Sequence, residues 1–196
     1  AYRVYGLCDD GVYAYWLALI DDAGVDKTAM YKKLLDDDAT VSPTLMWKTS
    51  SVVVTNAVLE FTKERIVACI NDKVYEISTT ASALPTAVYT NPVANFVYTS
   101  ITSSGAAIYV TGFSGGQSNI QKFTLASNGT MPTLTSAITA AEMPVGEQVF
   151  RIYYYLGYMM IGTSKGVRVA AVADDGSLAY GPLLFESEQP VYDFAA

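Results

Sequence analysis

Residues 158–187, "YMMIGTSKGVRVAAVADDGSLAYGPLLFES", hold three short apolar runs cut by "TSKG" and "DDGS", and a fourth that follows a Gly-Pro step. Short runs of Val, Ile and Tyr punctuated by Gly and Asp-Gly carry the strand-and-turn signature. Whether this is a lone meander or one copy of a repeat decides the fold, and the prolines answer first. In "SPTLMWKT", "LPTAVYTN", "MPTLTSAI" and "GPLLFESE", Pro43, Pro85, Pro132 and Pro182 precede a short apolar run, 42, 47 and 50 residues apart.

The preceding runs align as well. "KTAMYKKLL", "DKVYEIS", "NIQKFTL" and "KGVRVAAV" put Met30, Val74, Ile120 and Val167 in one column, 44, 46 and 47 residues apart. Before them stand "VYAYWLAL", "RIVACIN", "AAIYVTGF" and "YMMIGTS", and before those "AYRVYGL", "AVLEFTKE", "NFVYTSIT" and "VFRIYYYL". Four strands in about 45 residues is the size of a β-propeller blade. Blades pack face to face around an axis, so both faces of a strand turn apolar, as in "RIVACI" and "YMMIGT". Proline suits an outermost strand, which tolerates a missing N–H and gains protection from edge pairing.

The fold expected is therefore all-β: a β-propeller with about four four-stranded blades, at about residues 1–50, 51–94, 95–146 and 147–189. A β-sandwich is the competing arrangement. "KTAMYKKLLDDD" has helical spacing but fills a strand slot and is read as strand; "SAITAAEM" is the other helix-like stretch. The end, "QPVYDFAA", repeats the first strand of a unit, so residues 190–196 read as the start of a further blade and the whole as part of a larger ring. Loop length is read as varying most between the second and third strands.

The 196 residues are 51% hydrophobic and 16% charged, which gives a folded chain with a substantial core. No apolar run approaches the roughly 18 to 20 residues that span a bilayer, so no membrane insertion is expected. The N-terminus shows no secretory signal. A net charge of −7 with 12 Lys and Arg argues against a nucleic-acid partner. There is no His, which removes Ser-His-Asp and Cys-His catalysis and histidine metal ligation. Cys8 and Cys69 lie in apolar stretches without metal or redox spacing and read as small buried hydrophobes.

The acidic clusters Asp21, Asp22 and Asp26, then Asp36, Asp37 and Asp38, then Asp174 and Asp175, set Asp residues side by side, whereas calcium loops alternate their ligands. "DDG" at residues 9–11 and 174–176 reads as turn chemistry, as does the sequon Asn128-Gly129-Thr130. Paired carboxylates could serve a glycosidase, with Glu60, Glu64, Glu186 and Glu188 as the acids in question, but nothing in the spacing pairs them. Neither a catalytic residue, a cofactor nor a metal ligand is assigned. The 15 tyrosines read mainly as packing between blades.

The stretch "GYMMIGTSKGVRVAAVADDGSLAYGPLLFESEQPVYDF" resembles the propeller blades of minor tail proteins of long-tailed bacteriophages. The residues that carry this are Gly162, Thr163, Gly166, Val167 and Arg168 in a "GT-x-x-G-V-R" turn, then Asp175, Gly176, Leu178, Tyr180, Gly181, Pro182 and Leu183. Val191, Tyr192 and Phe194 follow, opening the next blade. The match covers about the last forty residues; "INDKVYE" and "GFSGGQSNIQK" replace that turn in earlier units. The resemblance implies a structural protein of the virion, not an enzyme, at the tail tip or fibre. It would serve as an assembly scaffold or host-surface binding module. Its partners would be other virion tail proteins and a host cell-surface glycan or protein.

Two other readings stand beside this one: a propeller-fold sugar lyase or hydrolase, and a cellular interaction propeller located in the cytoplasm. If rigid blades carry recognition on their connections, the contact surfaces are residues 21–26, with Asp21, Asp22 and Asp26, and residues 113–119, with Phe113, Gln117 and Asn119.

Overall fold

Each of the four sequence units folds as an antiparallel meander, because its runs are long enough for one strand and its turn residues reverse the chain within two or three positions between the first three strands, a longer connection leading to the fourth. The computed structural model describes residues 3–195. The first sheet is β1 (Arg3–Asp9), β2 (Tyr13–Asp22), β3 (Val25–Leu34) and β4 (Thr44–Thr49); the second is β5 (Ala57–Thr62), β6 (Arg65–Ile70), β7 (Lys73–Ile77) and β8 (Tyr89–Thr90). The third is β9 (Val97–Ser104), β10 (Ala107–Ser114), β11 (Gln117–Thr124) and β12 (Thr139–Glu142). The fourth is β13 (Val149–Tyr155), β14 (Tyr158–Thr163), β15 (Gly166–Val172) and β16 (Leu178–Tyr180), with the short β17 (Phe185–Glu186) also on β15. Every sheet follows chain order, and no helix occurs among the described residues. Both helix-like stretches are strands: Lys27 to Leu34 lies in β3, and Thr139 to Glu142 forms β12.

The structure overturns the expected variation in loop length. The connections between second and third strands do not differ in length. Each is a two-residue turn, closed by the pairs Asp22–Val25, Ile70–Lys73, Ser114–Gln117 and Thr163–Gly166. Strand length varies instead, from ten residues in β2 and β3 to six and five in β6 and β7. Residues read as loop are thus strand ends; at the first of these turns Ala23 and Gly24 both take positive φ, the geometry of a tight primed hairpin.

The prolines keep their period but not one structural place. Pro43 directly precedes β4, whereas Pro132 stands seven residues before β12. Pro182 falls between β16 and β17. Both of these pair with β15, Val172 with Leu178 and Val167 with Phe185, so they are one edge strand interrupted at the proline. The missing N–H is placed at the interruption, where the ladder has no use for it.

The chain divides into two compact units, one ending at Thr90 and the other beginning at Asn91. In the first unit β1 lies beside β5, and the core between the two sheets is built from Leu17, Met30, Trp47, Leu59, Ile66, Ile70 and Ile77. In the second, β9 lies beside β13, and Tyr109, Ile120, Val149, Ile152, Met159 and Ile161 fill the space between. Burying a side chain of this size is worth about 1.5–3 kcal/mol. Three of the four first strands carry a register shift that skips one residue, Tyr5 in β1, Thr99 in β9 and Phe150 in β13, whereas β5 pairs without one. Such bulges bend the strand and tighten its twist.

Both cysteines are free, Cys69 fully buried and Cys8 half-buried. Burial, with the nearby Glu60 charge, pushes the Cys8 thiol up to about 12, and burial alone raises Cys69.

Candidate functional site

The third sheet carries a cleft because alternation along its strands sorts side chains to two faces. The register aligns Gly112 of β10 with Asn119 of β11, and Asn119 with Glu142 of β12, so these three share a face; Ser114 and Gln117, paired two residues further along, share it too. Tyr109 and Phe113 lie on the opposite face. Tyr109 joins the core shared with the fourth sheet, and the Phe113 ring meets Phe150 at 5.5 Å, which in turn meets Tyr192 at 5.0 Å.

Gly112 opens room in this row. A Cβ there would stand 2.2 Å from the Val97 carbonyl oxygen and 2.6 Å from the Phe96 ring, so only glycine allows the segment before β9 to lie so close. Phe96 is anchored edge-on to Tyr98 at 5.0 Å, and the Ser114 hydroxyl donates to the Ala94 carbonyl at 2.8 Å. The result is a cleft of about 200 Å³ lined by Val93, Phe96, Ser114, Gln117, Asn119 and Glu142, with Met143 and Val145 at its rim. Val145 is 82% exposed. Asn119 Oδ1 is buried and has no hydrogen-bond partner, a state that costs about 1–3 kcal/mol.

The segment that closes the cleft, residues 143–148, is held from both ends. The Met143 amide donates to the Ser118 carbonyl, the Val149 amide to Ser118 Oγ, and Gln148 Nε2 to the Gly115 carbonyl at 2.7 Å. Within it Glu147, 1% exposed, takes two 2.8 Å bonds from the Arg168 guanidinium, whose third nitrogen donates to the Gly181 carbonyl. Burial alone would raise the Glu147 carboxyl; the Arg168 and Thr163 hydrogen bonds outweigh it and hold the group below its ordinary value. Tyr180 OH donates to the Glu142 carbonyl, and Tyr109 OH to the Gly176 carbonyl.

The six residues read as contact surface are thus separated. Gln117 and Asn119 line the cleft; Phe113 faces away from it. Asp21, Asp22 and Asp26 belong to the other unit, at the β2–β3 hairpin. There the Lys27 and Lys48 ammonium groups, at 2.6 and 2.8 Å, hold the Asp22 carboxyl down at about 2, and Asp21 Oδ1 accepts the Gly24 amide. Glu142, Phe96 and Ser114 were not singled out in the sequence; only the cross-strand register brings them together. Asp10, Asp175 and Asn128 each accept backbone amides within their own turns. No group of three His, Cys, Asp or Glu residues among the described residues is arranged to hold a metal.

No protein-family model matches the chain, and no curated protein matches its sequence. Solved structures do match in shape. The computationally designed Ika8 protein superposes with a TM-score of 0.59 over 98% of this chain and 52% of its own, at 12% identity. A Bacteroides uniformis protein provisionally assigned as a 6-phosphogluconolactonase superposes with a TM-score of 0.60 over 90% of this chain and 55% of its own, at 15% identity. The chain therefore spans about half the length of these structures, and identities this low speak to the fold alone.

Proposed function

We propose that the four sheets are consecutive blades of a β-propeller and that the chain works by binding, as a scaffold or host-contacting part of a bacteriophage tail. First strands lying side by side, β1 with β5 and β9 with β13, support the blade arrangement, because blades converge through their innermost strands. One observation carries the tail reading beyond fold. Two of the residues through which the last sheet resembles tail-protein blades also join it to the third sheet, Tyr180 to Glu142 and Gly176 to Tyr109, while Arg168 ties Glu147 and Gly181 within the fourth unit. A motif used for joining blades belongs to a scaffold, and the chemistry of recognition is then left to surfaces such as the β10–β11 cleft.

The test is antibody labelling of phage particles whose genome encodes this sequence. Decoration of the tail end supports the proposal, and intact particles that lack the chain overturn it. The shape likeness to the Bacteroides protein makes hydrolysis of 6-phosphogluconolactone the rival to measure. Turnover well above the spontaneous rate would replace the binding role with an enzymatic one.

A further inference from the structure

We infer that the cleft beside the β10–β11 hairpin is a binding site for one uncharged sugar residue. The inference deepens the binding role proposed above and rests on that role, but not on a place in the virion. Its wall includes an amide with an unmet need, directly across the ladder from Glu142: Asn119 Oδ1 has no partner and is closed to solvent, so a rotation of this partly exposed side chain would bring it to a ligand hydroxyl. Gln117 and Ser114 stand on the same face one step along, so the polar groups span roughly 5 Å across strands and 7 Å along them. That spread suits several hydroxyls of a single ring, each of which can donate and accept.

The other surfaces are apolar. Val93 and Val145, both exposed, offer a face for the C–H side of a sugar. At about 200 Å³ the space is below the roughly 300–1,000 Å³ of pockets for drug-sized ligands, which limits the occupant to one ring. Charge narrows the class further. Neither Lys nor Arg is among the lining residues while Glu142 is, and the chain carries −7 overall, so a phosphorylated or acidic sugar would meet repulsion. A quaternary ammonium ligand would find one carboxylate but a single, largely covered ring instead of an aromatic cage.

The test is a titration of the isotope-labelled protein, followed by NMR, with methyl glycosides of glucose, galactose, mannose and N-acetylglucosamine, with glucose 6-phosphate, and with tetramethylammonium. At least one methyl glycoside is expected to shift the amide signals of Phe96, Gln117, Asn119 and Glu142. Asn119→Ala, which deletes an unpaired acceptor and should fold as well as the parent, is expected to weaken that binding tenfold or more. Gln117→Ala, at an exposed position, should weaken it with no change in melting temperature. Silence of these signals toward every glycoside well above millimolar concentration overturns the site. So does tighter binding of glucose 6-phosphate or tetramethylammonium, or binding untouched by both substitutions. If glycoside binding fails while antibody still labels tails, this site falls and the scaffold role stands; the reverse result rejects the tail and keeps the site.

Discussion

The two units solve the same packing problem with opposite chemistry. In the first, β1 meets β5 through Gly6, where a Cβ would stand 2.5 Å from Leu59 Cδ1. In the second, the position just after the β9 bulge is Ser100, whose hydroxyl donates to the Ile152 carbonyl and accepts from the Ile152 amide. Thr99 adds a bond to the Val149 carbonyl at 2.9 Å, and the Tyr154 amide donates to Thr102 Oγ1. Among the described residues Thr28 is the one fully buried polar side chain of the first unit, whereas the second buries Asn91, Ser100, Thr111, Ser118, Gln121, Glu147 and Thr163. An apolar contact is non-directional and tolerates sliding; a hydroxyl bonded to a facing backbone fixes register. The second unit is also the one with the cleft, and a ligand site needs its walls held in register.

Breaking the Glu147–Arg168 pair should have the largest effect. Arg168→Met leaves a buried carboxylate without its partner and should cost about 3–5 kcal/mol in urea unfolding. Its pH dependence should reverse. In the parent the Glu147 carboxyl titrates below its ordinary 4.5, so the pair stabilises above that pH and the gain is lost as pH falls through the lowered folded value. In the variant burial is opposed only by the Thr163 bond and the Lys165 charge, the folded value rises, and stability should improve as pH falls toward 5.

Leu59→Ala probes the apolar interface of the first unit. Leu59 is 5% exposed, and truncation should cost about 2–5 kcal/mol. Gly6→Ala alone should also destabilise, by overpacking, yet the double variant should lose clearly less than the sum because the new methyl enters the space Leu59 vacates. Strict additivity would mean that Gly6 and Leu59 do not meet as described.

Ser100→Ala should cost less, about 1–3 kcal/mol, since it leaves the Ile152 amide without the bond that it donates to Ser100 Oγ. Hydrogen exchange at Ile152 should accelerate before that of Ile161. Equal stability of parent and variant would remove the hydroxyl ladder from the account. The smallest effect belongs to Asp22→Asn, which breaks partly exposed pairs with Lys27 and Lys48 and should leave the unfolding midpoint at neutral pH nearly unchanged.

The strands were legible in the sequence because Val, Ile, Tyr and Thr alternate between turn residues, and β3 was read correctly against the helical spacing of Met30, Leu34 and Leu35. The proline period was legible too, though its structural meaning was not uniform: Pro182 interrupts an edge strand that Pro43 precedes. The cleft was half legible. Gln117 and Asn119 were named, but as loop residues beside Phe113, because a two-residue turn at Gly115 and Gly116 leaves no loop and strand alternation sends Phe113 to the other face. Glu142, Phe96 and the Ser100 bonds depend on pairing across 20 to 50 residues of chain, which no local pattern encodes.

The blade arrangement is the claim on which the rest depends, and a cryo-electron microscopy map of the protein tests it most directly. The account predicts one axis with β1, β5, β9 and β13 innermost and the edge strands β4, β8, β12 and β16 outermost. Two face-to-face sandwiches, or sheets that share no common axis, would contradict it.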